Sequence, residues 1–230
     1  MTWRRWNILV EGQTERNFVA NVLNPFLATR GIAASPRVIQ TSRDESRGRR
    51  FKGGFVNYEH LKRDLTTWLR EDQHSEARFT TMIDLYKLPK NFPGQDQNPP
   101  TDPYKRVKHF EEYFAKDMED YRLHPYISLH EFETLLLVDP ENIIAAFPNQ
   151  EKQLEELNKN LSSFAGHSPE LIDEGEQTAP SKRIIQFFPD YEDRKAVAGH
   201  IIAGRIGIDK MTASCPHFKT WIETLLASPA

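Results

Sequence analysis

The stretch Trp6-Asn7-Ile8-Leu9-Val10-Glu11-Gly12-Gln13-Thr14-Glu15 constrains the rest of the chain more than any other. It passes from an apolar run to acids in a single step. Ile8-Leu9-Val10 has the composition of a buried strand. Glu11 stands at the C-terminal end of that strand, and Gly12 permits a tight turn. Thr14 is the expected helix N-cap, and Glu15 opens an amphipathic run through Phe18, Val19, Val22, Leu23 and Phe26. In an open α/β sheet, ligands gather at the carboxyl ends of the strands. Glu11 and Glu15 would meet solvent together at that edge. Two carboxylates held close repel, and a divalent cation relieves the repulsion. A first-turn glutamate also suits the helix dipole without any cation, so this pair alone does not decide.

At 230 residues the chain fits one large domain, or one domain with an appendage. Its 30 basic and 33 acidic residues exclude a nucleic-acid binder built on bulk positive charge. They leave room for a local basic patch. The single cysteine, Cys215, excludes an intramolecular disulfide and a cysteine-rich zinc site. No apolar run approaches the ~20 residues of a membrane span. Met1-Thr2-Trp3-Arg4-Arg5-Trp6 has no signal-peptide apolar region, so the expected compartment is the cytoplasm. There is no internal repeat and no low-complexity tract.

Gly31 is the expected end of the first helix, and residues 37–41 read as a second strand. The next segment carries Arg43, Arg47, Arg49, Arg50 and Lys52 among glycines and serines. Such a loop can clamp a phosphate backbone, or it can be solvated surface. Residues 58–69 form an amphipathic helix, with Leu61, Leu65, Trp68 and Leu69 on one face. The third strand, 79–83, ends in Asp84 and repeats the first device. Residues 85–100 are too rich in proline and glycine for regular structure, and 104–121 is a charged helix. The fourth strand, 125–129, runs into His130-Glu131-Phe132-Glu133, and Leu135-Leu136-Leu137 continues as buried helix.

Acids thus stand beside the ends of three expected strands: Glu11, Asp84, and Glu131 or Glu133. Glu15 adds one a helical turn on. All-oxygen ligands favour Mg²⁺ or Mn²⁺ over zinc. His130 is either a further ligand or a hydrogen-bonding residue at the strand end. From Pro140 the pattern turns helical, over 142–147, 150–164, 196–208 and 218–226, with an acidic turn-rich stretch at 166–179. Pro180-Ser181-Lys182-Arg183 opens another helix. Basic residues in a first turn oppose the helix dipole, which suggests a role with an anion. The expected division is an α/β core over 1–140, which carries the acids, and a helical portion over 141–230 that packs on it and completes the site.

The strand followed by Glu11-Gly12-x-Thr14-Glu15, with a later strand ending in Asp84, resembles the Toprim catalytic domain of topoisomerases, bacterial primases and OLD-family nucleases. The Glu-Gly-x-Thr-Glu form looks most like the OLD branch. Together with Asp84-Leu85-Tyr86-Lys87-Leu88-Pro89, His130-Glu131-Phe132-Glu133 and Pro180-Ser181-Lys182-Arg183, the chain resembles the stand-alone Toprim-like family DUF4276 over nearly its full length. The resemblance implies an α/β, Toprim-like (Rossmann-like), mainly parallel sheet flanked by helices, with a helical C-terminal portion. It implies a nuclease acting on DNA or RNA, tRNA among the substrates to be considered. Mg²⁺ or Mn²⁺ would be held by Glu11, Glu15, Asp84 and Glu131 or Glu133. Lys182, with Arg183 beside it, would neutralise charge on the phosphate. An ATPase partner and a role in anti-phage defence are further implications.

The chain departs from the Toprim pattern at one point. Toprim domains carry Asp-x-Asp after the third strand, and here the residues are Asp84-Leu85-Tyr86. Glu131 or Glu133 can take the place of the missing aspartate. If neither does, the rival expectation is a non-catalytic module that docks on the ATPase partner.

Overall fold

The computed structural model describes residues 4–40, 57–164, 166–172, 175 and 178–227. β1 (Arg4–Val10) lies between β2 (Ile32–Val38) and β3 (Ala77–Asp84), and the short β4 (Ile127–Ser128) flanks β3. Every pairing is parallel. The register sets Val10 opposite Met82 and Asp84 opposite Ser128. The strand ends therefore finish close to one level, which is what places their acids together.

Parallel strands covered on both faces read as apolar runs. Trp6, Ile8 and Val10 turn to one face of β1, Leu9 to the other. Thr80 and Phe79 divide likewise on β3, where Thr80 accepts a hydrogen bond from Trp221 Nε1 at 2.9 Å. β2 begins earlier than expected, at Ile32 rather than residue 37. Its weak β-formers Ala33, Ala34, Ser35 and Pro36 hid it. Ile32 and Ala34 are nevertheless buried against β1, and Pro36 is tolerated because β2 is an edge strand. β4 is shorter than the expected 125–129.

The first helical run has three parts: α1 (Gln13–Phe18), a π-helical turn Val19–Leu23, and α2 (Asn24–Ala28). Its N-cap is Gly12, not Thr14. The Glu15 carboxylate reaches back and accepts the Gly12 N–H at 2.9 Å. A Cβ on residue 12 would lie 3.2 Å from Glu15 Oε2, so glycine suits this close approach. The π turn falls just before Pro25, whose missing N–H would interrupt a regular ladder.

α3 (Tyr58–Glu71) is capped by Asn57, whose side chain accepts the Glu59 N–H at 3.0 Å. α4 (Pro103–Met118) is capped by Asp102, which accepts from Lys105 at 2.9 Å. Both pack on the Leu9 and Phe79 face. Leu135 to Leu137 are buried as expected, but in a 3₁₀ segment, Phe132–Val138, rather than an α-helix. The remaining helices are α5 (Glu151–Leu161), α6 (Pro180–Phe187), α7 (Tyr191–Ile206), α8 (Ile208–Ser214) and α9 (Pro216–Ala227). α7 begins before the expected residue 196, and Gly207 at φ 81° separates it from α8.

Residues beyond 140 share one core with β1: Trp6, Ile8, Phe18, Ile202, Phe218 and Leu225 belong to the same buried cluster. Trp6 Nε1 donates to the Leu225 carbonyl at 3.0 Å. Among the described residues, no helix is long and apolar enough to cross a membrane.

Candidate functional site

Each acid of the site is positioned by a different element, and each takes a backbone or side-chain donor from a neighbour. Glu11 follows β1, and its Oε2 accepts the Asp84 N–H at 3.1 Å. Glu15, on the first turn of α1, accepts from Gly12. Asp84 ends β3, and its Oδ1 accepts the Phe132 N–H at 3.1 Å. Glu131 follows β4, and its Oε2 accepts the Ser181 N–H at 2.9 Å, in the first turn of α6. The partly positive N-terminus of a helix is a favourable place for a carboxylate. Glu133 begins the 3₁₀ segment, and its Oε1 meets Lys195 Nζ at 3.0 Å and the Tyr191 hydroxyl at 3.3 Å.

The chain bends sharply to bring the last two acids in. His130 has φ 71°, a left-handed conformation uncommon outside glycine. Its carbonyl accepts the Tyr86 N–H at 3.1 Å, which ties the turn after β4 to the turn after β3. Strain of this kind persists where surrounding contacts impose it, often at functional sites.

Glu15, Asp84, Glu131 and Glu133 are all buried, and Glu11 is the more exposed member. Burial raises the Glu15 carboxyl to about 8, with the Glu11 charge adding and that of Glu133 after it. Burial also holds Asp84 well above the ordinary carboxylate range, reinforced by Glu11, Glu15, Glu131 and Glu133. These acids feel one another directly. The Lys195 ammonium experiences the opposite balance. Burial alone would lower it, but the Glu133 ion pair, helped by Glu131 and Asp84, raises it. Burial and Glu133 together push the Tyr191 phenol well up.

All five acids named from the sequence stand at this one edge of the sheet. Lys182 lies exposed in the first turn of α6, next to the amide that holds Glu131. Arg183 points elsewhere: Nε donates to the Thr178 carbonyl and Nη1 to Asn160 Oδ1, both at 2.8 Å, and the guanidinium lies 4.9 Å from the Phe164 ring. It joins α6 to the end of α5. Arg43, Arg47, Arg49, Arg50 and Lys52 lie outside the described residues. Sequence reading missed Tyr191 and Lys195. Their four-residue spacing puts both on one face of α7, but that helix was expected to start after them.

The donor set is all oxygen, the ligand type that a hard divalent cation takes. Among the described residues, however, no three acid, histidine or cysteine side chains converge closely enough to hold an ion as they stand. Each carboxylate is turned onto its own donor, an arrangement that separates like charges.

Among solved structures, the chain is similar to the C-terminal region of the Xanthomonas campestris pv. campestris OLD protein. The two are 17% identical, with 97% of this chain and 98% of that chain covered and a TM-score of 0.40. No curated protein matches the sequence. The profile of the family described as a domain of unknown function, DUF4276, matches residues 10–226, and the chain belongs to that family.

Proposed function

We propose that this chain is a Toprim-type, metal-dependent nuclease that hydrolyses phosphodiester bonds of DNA or RNA. The observation that carries the reading is the meeting of acids at the ends of three parallel strands, where Glu11 accepts the Asp84 N–H at 3.1 Å and Asp84, buried, is held well above the ordinary carboxylate range by burial first and then by Glu11, Glu15, Glu131 and Glu133. Glu11, Glu15, Asp84 and Glu131 would hold Mg²⁺ or Mn²⁺. Their side chains would have to rotate off the donors they now accept from to close on an ion. A bound cation of this kind polarises a phosphoryl oxygen and acidifies water. Glu11, the most exposed of these acids, would accept the proton of the attacking water. Lys182, on the exposed first turn of α6, would meet the charge developing on the phosphate. The basic run from Arg43 to Lys52 would grip the nucleic-acid backbone. An ATPase partner and a role in anti-phage defence rest on the family resemblance alone.

The second reading is a non-catalytic module docking on that ATPase. Two observations favour it: Tyr86 stands where Toprim domains have their second aspartate, and the acids do not converge as they stand. Incubating the purified chain with single-stranded DNA, duplex DNA and structured RNA, in Mg²⁺ or Mn²⁺ with and without EDTA, separates the two. Cleavage abolished by EDTA supports the nuclease. Absence of cleavage on every substrate sinks it in favour of the docking module.

A further inference from the structure

We propose, independently of the cation-site reading above, that Glu111 and His217 form a proton-dependent clamp on the outer edge of the sheet, closed while the His217 imidazole is charged. Among the described residues β4 is the outermost strand on its side, so its outer backbone groups have no strand to pair with. Two side chains from two helices take that strand's place. Glu111 Oε1, from α4, accepts the Ile127 N–H at 2.8 Å. His217 Nε2, from α9, donates to the Ile127 carbonyl at 3.0 Å. The two side chains also meet each other, Nε2 to Oε1 at 3.1 Å.

Nε2 thus faces a carbonyl and a carboxylate, neither of which has a hydrogen to give, so this nitrogen keeps its proton. Charge on the ring depends on the second nitrogen, and the surroundings favour it. Glu170, buried in the 3₁₀ turn Pro169–Leu171, accepts the backbone N–H groups of His217 and Phe218 at 3.0 and 2.9 Å. The ring stacks on Tyr126 of β4, with centroids 5.1 Å apart. Burial raises the Tyr104 and Tyr126 phenols and the Cys215 thiol, so all three stay neutral around it. Lys108 borders the same cleft but is mostly exposed and turned to Glu112 at 3.8 Å, and His124, also on that cleft, is lowered by burial and then by Arg78.

Burial alone would lower His217, but the hydrogen bond and charge of Glu111, then the charge of Glu170, raise it above its ordinary 6.5. A group that binds its proton more tightly when folded stabilises the fold fully below its unfolded value. It loses that contribution as pH rises through its folded one. The loss falls on β4, because the pair that weakens is the pair that holds both polar groups of Ile127. β4 runs directly into the turn that carries Glu131 and Glu133, so the clamp also sets how firmly that turn is held.

Proton NMR of the His217 ring follows its titration in the full chain. Amide hydrogen exchange, corrected for intrinsic base catalysis, follows the Ile127 N–H. The parent ring should titrate above 6.5, and Glu111→Gln, which keeps an acceptor and removes the charge, should shift it down. Protection of the Ile127 amide should fall in the parent as pH rises through that titration. In His217→Gln, whose side-chain amide keeps a donor for the Ile127 carbonyl, protection should be lower at acid pH and should not follow this titration. A His217 titration at or below 6.5, or one that Glu111→Gln leaves unmoved, overturns the inference. Equal pH dependence of Ile127 protection in parent and His217→Gln overturns it as well, and reduces the pair to a fixed cap on the strand. Should His217→Gln fail to fold, the titrations of parent and Glu111→Gln still decide.

Discussion

The Asp84 N–H donates to the Glu11 carboxylate at 3.1 Å. The acid that follows β1 is thus held by the backbone of the acid that ends β3. The ladder leads directly to this bond, for the Glu11 N–H donates to the Met82 carbonyl at 3.2 Å. One step further, a side-chain oxygen replaces the backbone acceptor. Parallel register therefore does more than bring two strand ends level: it fixes Glu11 over Asp84 and sets the spacing of the site.

A pH dependence follows from Glu15. Its carboxyl titrates at about 8 in the folded chain, against an ordinary 4.5, through burial first and the Glu11 charge second. A group that binds its proton more tightly when folded makes the fold less stable as pH rises between those two values. Asp84 is shifted in the same direction and adds to the slope. Glu15→Gln keeps an acceptor for the Gly12 N–H and abolishes one titration. In chelator, its melting temperature should fall less than the parent's from about pH 5 to about pH 8. At the upper end the variant should melt higher, at roughly 2–4 °C per kcal/mol for a chain of this size. Equal pH slopes for parent and variant would contradict the burial of this carboxyl.

Gly199→Ala tests the seating of α7. Alanine favours a helix interior over glycine by about 1 kcal/mol. Against this, the new methyl meets Thr14 and Phe132 at 3.0 and 3.1 Å, and overpacking of that kind costs about 1–3 kcal/mol. Packing should win, so denaturant melts should show a destabilised protein with a lower midpoint and an unchanged slope. A midpoint above the parent's would mean that α7 has room to move.

Lys182→Met removes an exposed ammonium and keeps its stem. If that ammonium meets charge present only in the transition state, ground-state binding is spared. Single-turnover cleavage should fall by about a hundredfold or more, while nucleic-acid affinity changes little. Cleavage at the parental rate removes Lys182 from the mechanism. Matched losses of rate and affinity would make it one more phosphate contact.

Much of this edge was legible in the chain because parallel strands leave a plain signature. Ile8-Leu9-Val10 before Glu11, and Met82-Ile83 before Asp84, are apolar runs that end in an acid. β2 was misplaced because Ala33, Ser35 and Pro36 are poor β-formers, and only its pairing with β1 makes a strand of them. Thr14 looked like a cap by residue type, but the longer Glu15 side chain reaches the Gly12 N–H itself. Tyr191 and Lys195 were invisible as site residues. Nothing local links them to Glu133, 58 and 62 positions earlier in the chain, and only the packing of α7 against α1 brings them there.

Mn²⁺ titration calorimetry on the parent, Glu11→Gln and Asp84→Asn tests the central claim most directly. The parent should bind Mn²⁺, and each variant should bind at least about tenfold more weakly, a loss of about 1.4 kcal/mol or more. Both variants should fold, with melting temperatures in chelator equal to or above the parent's, because each removes a repelling charge. Parental Mn²⁺ affinity in both variants would contradict the account, since the strand-end acids would then not be the cation's ligands.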